Sequence, residues 1–355
     1  MDDLALLTRV RDDVPERSAA DVVRGRAALL RAIETPSARP ARTRRSWIWI
    51  GSAAAATCGL AGALVVAGLP GTPGSADPAA AAVLTSAATA ARTVTDPVVG
   101  PGQYLEVRTD AVYGATGTTE ADAEVARRER DGNLTAEDET SYLESEVSAV
   151  WMPSDHAGDW MYVSCVRTPV QTFGPRSETF AAESAGIGED IRRVLPGGRW
   201  YDGTPFGMMS EDDLAALPRD PAQLLQEIYR QNGNAGPSRD GEALVWIADR
   251  LRSGTLSADI RSLFYDTAAL IPGVTITEEQ ATLNGRTGTA IGRDEENNGF
   301  RQDIIIDPTT GAFIGEREVL LRPSADMPAG TAIGSTSVTT TVVDAVPEGT
   351  SLCAG

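Results

Sequence analysis

Hydrophobic positions along this chain fall into three regimes. Residues 47 to 69 (WIWIGSAAAATCGLAGALVVAGL) form an uninterrupted run without charge. At 1.5 Å per residue, about 23 residues span roughly 34 Å, enough to cross a hydrocarbon core of about 30 Å. Before the run, two short stretches carry helical periodicity: Leu4, Leu6, Leu7 and Val10 ahead of Pro15, then Val22, Val23, Ala27, Leu29, Leu30 and Ile33. Two such helices cannot enclose a core, so they suit the inner leaflet or a partner. After the run, period-2 and period-3.6 patterns alternate up to the last residues.

The outer pattern opens with a Gly/Pro spacer at 70 to 77 and an Ala-rich helix from Pro78 to about Ala91, with Asp77 as its cap. Gln103 to Tyr113 alternates as a half-buried strand, Leu105, Val107, Thr109 and Ala111 on one face. Ser141 to Trp151 and Asp159 to Arg167 predict an antiparallel hairpin about the turn MPSDHAG. Residues 171 to 218 show little periodicity and read as a long excursion with minor helix. Three amphipathic helices follow, at Pro221 to Gln231, Gly241 to Ser253 and Leu256 to Leu270. The rest returns to strands: Val274 to Leu283, Arg286 to Arg293, Arg301 to Asp307, Ala312 to Arg322 and Ser335 to Val343. Asn284-Gly285 and Asp307 to Gly311 are turn sequences, so this part reads as a sequential antiparallel meander. Strands, then helices, then strands predict an α+β outer domain.

Charge orients the apolar run. Arg39, Arg42, Arg44 and Arg45 precede it and the next basic residue is Arg92, which places the N-terminus inside by the positive-inside rule. Trp47 and Trp49 at its inner edge act with Arg42, Arg44 and Arg45 as membrane anchors. A cleaved signal peptide would need a shorter leader and a shorter apolar stretch. The expected organisation is therefore a cytoplasmic segment (1–46), a signal-anchor helix (47–69), a linker (70–77) and an extracytoplasmic domain (78–355) of the plasma membrane. Residues 1 to 46 hold ten Arg against seven acids, while the rest holds 21 basic against 43 acidic residues, a balance of −22. Such a field argues against nucleic acid or an anionic surface as partner of the outer domain.

Of three cysteines, Cys58 lies in the run, leaving Cys165 and Cys353 as an even pair in an oxidising compartment, either bridged or as two buried thiols. His156 is the only histidine, and no GxSxG occurs, so a serine hydrolase lacks its motif. One histidine and three cysteines do not make a conventional zinc cluster. Asp294, Glu296, Asn298 and Gly299 imitate the start of a calcium loop, but its twelfth position is Ile305, so a charged hairpin tip is the better reading. Glu144/Glu146 and Glu316/Glu318 each share a strand face, as exposed strand faces do by default. Trp151, Trp160, Trp200, Tyr162 and Tyr201 read as core, with an apolar cavity as the alternative. No residue is assigned to catalysis, a metal or a cofactor.

The hairpin IDPTTGAFIGEREVLL and the element order resemble the periplasmic lipoprotein carriers and the sigma-regulatory lipoprotein sensors. That resemblance implies a curved antiparallel half-barrel covered by helices and an acyl ligand. Across most of the chain, MDDLALLTRVRDDVPE, the Arg linker, the single span, SADPAAAAVLTSAA and GQYLEVRTD resemble a family of membrane-anchored proteins of high-GC Gram-positive bacteria, often encoded beside extracytoplasmic-function sigma factors. It implies an address and a pathway, not a reaction. The expectation is a non-enzymatic protein of envelope sensing or sigma-factor-linked regulation, binding its partner through Leu6, Leu7, Leu29 and Leu30. A tethered lipid or lipoprotein carrier is the alternative.

Overall fold

The computed structural model describes residues 75–119, 127, 138–233 and 235–354. The apolar run, the anchors Arg42, Arg44, Arg45, Trp47 and Trp49, and the inner leucines Leu6, Leu7, Leu29 and Leu30 lie outside the described residues. Among those described, no helix is long and apolar enough to cross a membrane.

The described part is α+β, built on a ten-stranded antiparallel sheet that is not closed. Its strands are β1 (Tyr104–Gly117), β2 (Thr140–Pro153), β3 (Asp159–Ser164), β4 (Thr168–Thr172), β5 (Ile191–Pro196), β6 (Thr275–Leu283), β7 (Arg286–Glu295), β8 (Phe300–Asp307), β9 (Ala312–Leu320) and β10 (Ala332–Val343). They run in the order β5-β3-β2-β1-β10-β9-β8-β7-β6, with β4 also paired to β2. The last strand thus sits mid-sheet against the first, Leu105 opposite Val342 and Ala111 opposite Thr336.

Among the described residues six α-helices accompany the sheet: α1 (Pro78–Ala91), α2 (Pro175–Ser184), α3 (Glu211–Ala216), α4 (Pro221–Asn232), α5 (Arg239–Leu251) and α6 (Ala258–Ala268). Helix α1 starts where the sequence places it: the Asp77 carboxylate accepts the Ala79 N–H at 2.9 Å and Pro78 takes the first turn. Its alanines serve close approach. Ala80, Ala87, Ala88 and Ala91 are fully buried, and the β8–β9 turn docks on them through Gly311. A Cβ there would lie 2.4 Å from the Ala91 nitrogen, and its φ of +70° favours glycine besides.

Helices α1, α4, α5 and α6 pack with one face of the sheet into the main core. Leu224, Ile228, Leu244, Ile247, Phe264 and Tyr265 meet Val107, Val150, Ile291, Ile304, Ile306 and Val338 there. The opposite face carries smaller clusters. Ala281, Ala290, Ile305 and Ile314 form one, and Ala149, Trp151 and Val163 another. The second is roofed by the chain after β10, which brings Val346, Leu352 and Cys353 onto it. Cys353 is disulfide-bonded to Cys165, with a Cα–Cα distance of 5.3 Å.

Residues 171 to 218 hold more order than their sequence suggests. Strand β5 forms the outer edge beside β3, and α2 packs on β2 and β4. In β5 only Leu195 is buried, so no alternation of apolar residues announces the strand. Its pairing is imposed by the partner β3, whose Trp160 and Tyr162 face Leu195 and Arg193.

Candidate functional site

The sheet, the α5–α6 connection and the segment between α1 and β1 line a solvent-open cavity of about 360 Å³. Its apolar wall consists of Val94, Pro97, Leu251, Leu256, Phe313 and Val338, and Thr95, Thr310, Thr339 and Thr340 add hydroxyls. That mixture and size suit a small amphiphilic ligand. Two guanidiniums line it, those of Arg286 and Arg261.

Arg286 is the first residue of β7, directly after the Asn284-Gly285 turn, where Asn284 takes a φ of +47° and Gly285 one of +74°. The turn aims its side chain along the sheet: one Nη donates to the Val338 carbonyl at 2.7 Å and the other to the Phe313 carbonyl at 3.5 Å. Among the described residues no carboxylate forms an ion pair with it. Burial pulls its pKa below the ordinary arginine value, with Asp307 offsetting this only in part. A half-buried cation whose hydrogen bonds go to carbonyls, its charge offset only in part by Asp307, is an incomplete electrostatic arrangement that an anionic ligand head would complete. Arg261 is better supplied, donating to the Leu256 carbonyl at 2.5 Å and to Asp96 at 3.4 Å.

The residues singled out in the sequence do not gather here. His156 stands at the tip between β2 and β3, exposed, against Glu211 at the start of α3. Glu144 and Glu146 are both held by Arg167, at 2.9 and 2.6 Å. Asp294 lies at the end of β7, and Glu296, Asn298 and Gly299 belong to the β7–β8 turn, where Asn298 and Gly299 donate their N–H groups to the Glu295 carbonyl. The aromatic set divides. Trp160, Trp200 and Tyr162 join the helix-side core, Trp151 is buried on the opposite face with its indole N–H on Glu106, and Tyr201 is 92% exposed. They therefore line no common cavity.

One expectation needs correcting. Glu316 and Glu318 do not lie on an exposed face, because α5 covers them. Glu316 contacts Arg252 at 3.0 Å and accepts from Gln302 at 3.1 Å. Desolvation pushes its pKa up to about 7, Arg252 counteracting and Asp249 reinforcing the shift.

Arg286 and Arg261 escaped the sequence reading because nothing local distinguishes them. An arginine beside a hairpin turn is ordinary, and Arg261 sits on the polar stripe of an amphipathic helix. Only the fold brings both to one apolar cavity. No known protein family and no characterised protein matches this sequence.

Proposed function

We propose that this chain is a single-pass protein of the plasma membrane whose outer domain is a non-enzymatic ligand-binding module serving envelope sensing or sigma-factor-linked regulation. The observation that carries the ligand-binding part is Arg286: a half-buried guanidinium without a carboxylate, in an apolar cavity of about 360 Å³. The ligand is then an anionic amphiphile, its tail against Phe313, Val338 and Leu251 and its head at Arg286. Signal output lies with the cytoplasmic helices, through Leu6, Leu7, Leu29 and Leu30. A crosslinked pull-down from cells bearing the full chain, wild type against Leu29→Asp/Leu30→Asp, tests that half. Recovery of a sigma factor by the wild type alone is expected; equal recovery by both chains would end the signalling reading.

The alternative, a tethered carrier for a lipid or lipoprotein acyl chain, draws on sheet curvature. Asn284, at the β6–β7 turn, donates to Asp110 on β1 at 3.1 Å, although three other strands separate β1 from β7 in the sheet order. Thr277 of β6 likewise reaches Asp303 across β7, and Glu278 reaches Arg317 across β7 and β8. Such contacts suit a strongly coiled half-barrel. Lipid co-purifying with the full chain, and lost in Arg286→Met, would favour the carrier.

A further inference from the structure

The cavity has a wall that differs in kind from the others. Val94, Thr95 and Pro97 belong to the connection between α1 and β1, and from Thr95 to Val99 this connection makes no backbone–backbone hydrogen bond among the described residues. Its flanks are tied, the Val94 N–H to the Ala91 carbonyl and the Gln103 N–H to that of Gly100. Between them the segment turns Val98 to solvent at 82% exposure, with Val94 at 43%. Val99 packs against the main core at its far end, and Asp96 fastens its middle. Both Asp96 carboxylate oxygens accept the Ala258 N–H at 2.9 Å, and Arg261 approaches at 3.4 Å.

Ala258 is the first residue of α6, whose own cap position, Ser257, makes no side-chain cap hydrogen bond. The cap is thus supplied from a residue 162 positions earlier in the chain. A local cap would have satisfied α6 equally well; a remote one makes capping of the helix and closure of the cavity wall the same event.

We infer that residues 94–99 are a gate over the cavity and that Asp96, seated on the N-terminus of α6, is its latch. The inference rests on the ligand-binding reading above, since a gate controls access to a bound molecule. Opening unseats Asp96 from Ala258 and Arg261 and swings Val94, Thr95 and Pro97 away from Arg286. It also frees the Arg261 guanidinium as a second contact for an anionic head.

The test follows condensation of the Arg286 guanidinium with phenylglyoxal, site by site with peptide mass spectrometry, on the full chain in lipid nanodiscs. Asp96→Ala is compared with Asp96→Ala/Ser257→Asp, in which α6 regains a local cap while the segment stays unlatched. Loss of one cap and one charged contact should raise the Arg286 rate about fivefold or more in both variants, fivefold corresponding to about 1 kcal/mol. Arg317, held by Asp303 and Glu278 on the opposite face, should react at an unchanged rate. An unchanged Arg286 rate in the double variant overturns the gate. A rise in Asp96→Ala that the added cap abolishes also overturns it, because fraying of α6 then explains the exposure. Octanoate at increasing concentration forms a separate arm. Protection of Arg286 in the unlatched chain supports the ligand reading, and absence of protection there removes that reading without touching the measured opening rate.

Discussion

Gly311 and Glu316 show what single positions decide in this domain. Gly311→Ala would place a methyl group 2.4 Å from the Ala91 nitrogen at a positive φ, so strain and loss of α1 docking combine. The expected cost is about 2–4 kcal/mol, read as a lower urea midpoint at unchanged slope. A variant as stable as the parent would mean that α1 does not pack on the β8–β9 turn. Glu316 makes a pH prediction. Its folded pKa, about 7, exceeds the ordinary carboxyl value of 4.5, so the folded chain holds a proton that the unfolded chain releases. Stability from this group is therefore full below about pH 4.5 and is lost as pH rises towards 7. Glu316→Gln keeps a neutral acceptor for Arg252 and should stabilise the domain by roughly 2–3 kcal/mol at most at pH 8, with little effect near pH 4. Equal gains at both pH values would show that the carboxyl is not the titrating group. At this scale the sequence was partly legible: the Asp77 cap and the Asn284-Gly285 turn follow from local chemistry. The roles of Arg286, Asp96 and Glu316 do not, because each is defined by partners far along the chain.

Elements with a full apolar face were readable and elements without one were not. Helices α4, α5 and α6 and strands β7 to β10 each present a row of buried residues, and their boundaries fall within a few positions of those expected from periodicity; β6, with only Ala281 buried, is placed by the Asn284-Gly285 turn that follows it. Strands β4 and β5 present almost none, since they are edges that inherit their conformation from β2 and β3. The chain after β10 is a further element without periodicity, yet it has a definite task. It crosses β1, β2 and β3, where Gln103 meets Asp344 at 2.8 Å and Arg192 of β5 donates to the Pro347 and Gly349 carbonyls. The disulfide ends the crossing, and it closes a loop of 188 residues. Chain entropy alone assigns such a bridge about 5 kcal/mol. Cys353→Ser should therefore lower the unfolding free energy by up to that amount and increase quenching of Trp151, which the tail now covers, by acrylamide. If quenching stays the same, apolar packing of Val346 and Leu352 holds the tail without the bridge.

The whole molecule is organised around β10. It joins β1 to the meander β6–β9, so the two halves of the sheet meet through a strand that begins only at Ala332. A chain stopped after Thr331 leaves β1 and β9 with bare edges in the middle of the sheet and lacks Val338 from the core. It should fail to acquire protease resistance, whereas a chain stopped after Val343 should retain it at reduced stability. Resistance of the shorter chain would show that the halves fold independently. The fold class was legible at this level because the order of elements survives errors in their boundaries. The central place of the last strand was not, since sequence patterns report faces and turns but not which distant strands become neighbours.

That placement bears on biogenesis. If the domain is exported amino end first, as the charge around residues 47–69 implies, the strand that completes the sheet emerges after all nine of the others described. Two half-sheets with unpaired edges must then wait outside the membrane until residues 332–343 arrive. Throughout that interval the nascent domain is a substrate for holding chaperones and for proteases, and its survival is decided by the speed of translocation as much as by the stability of the finished fold.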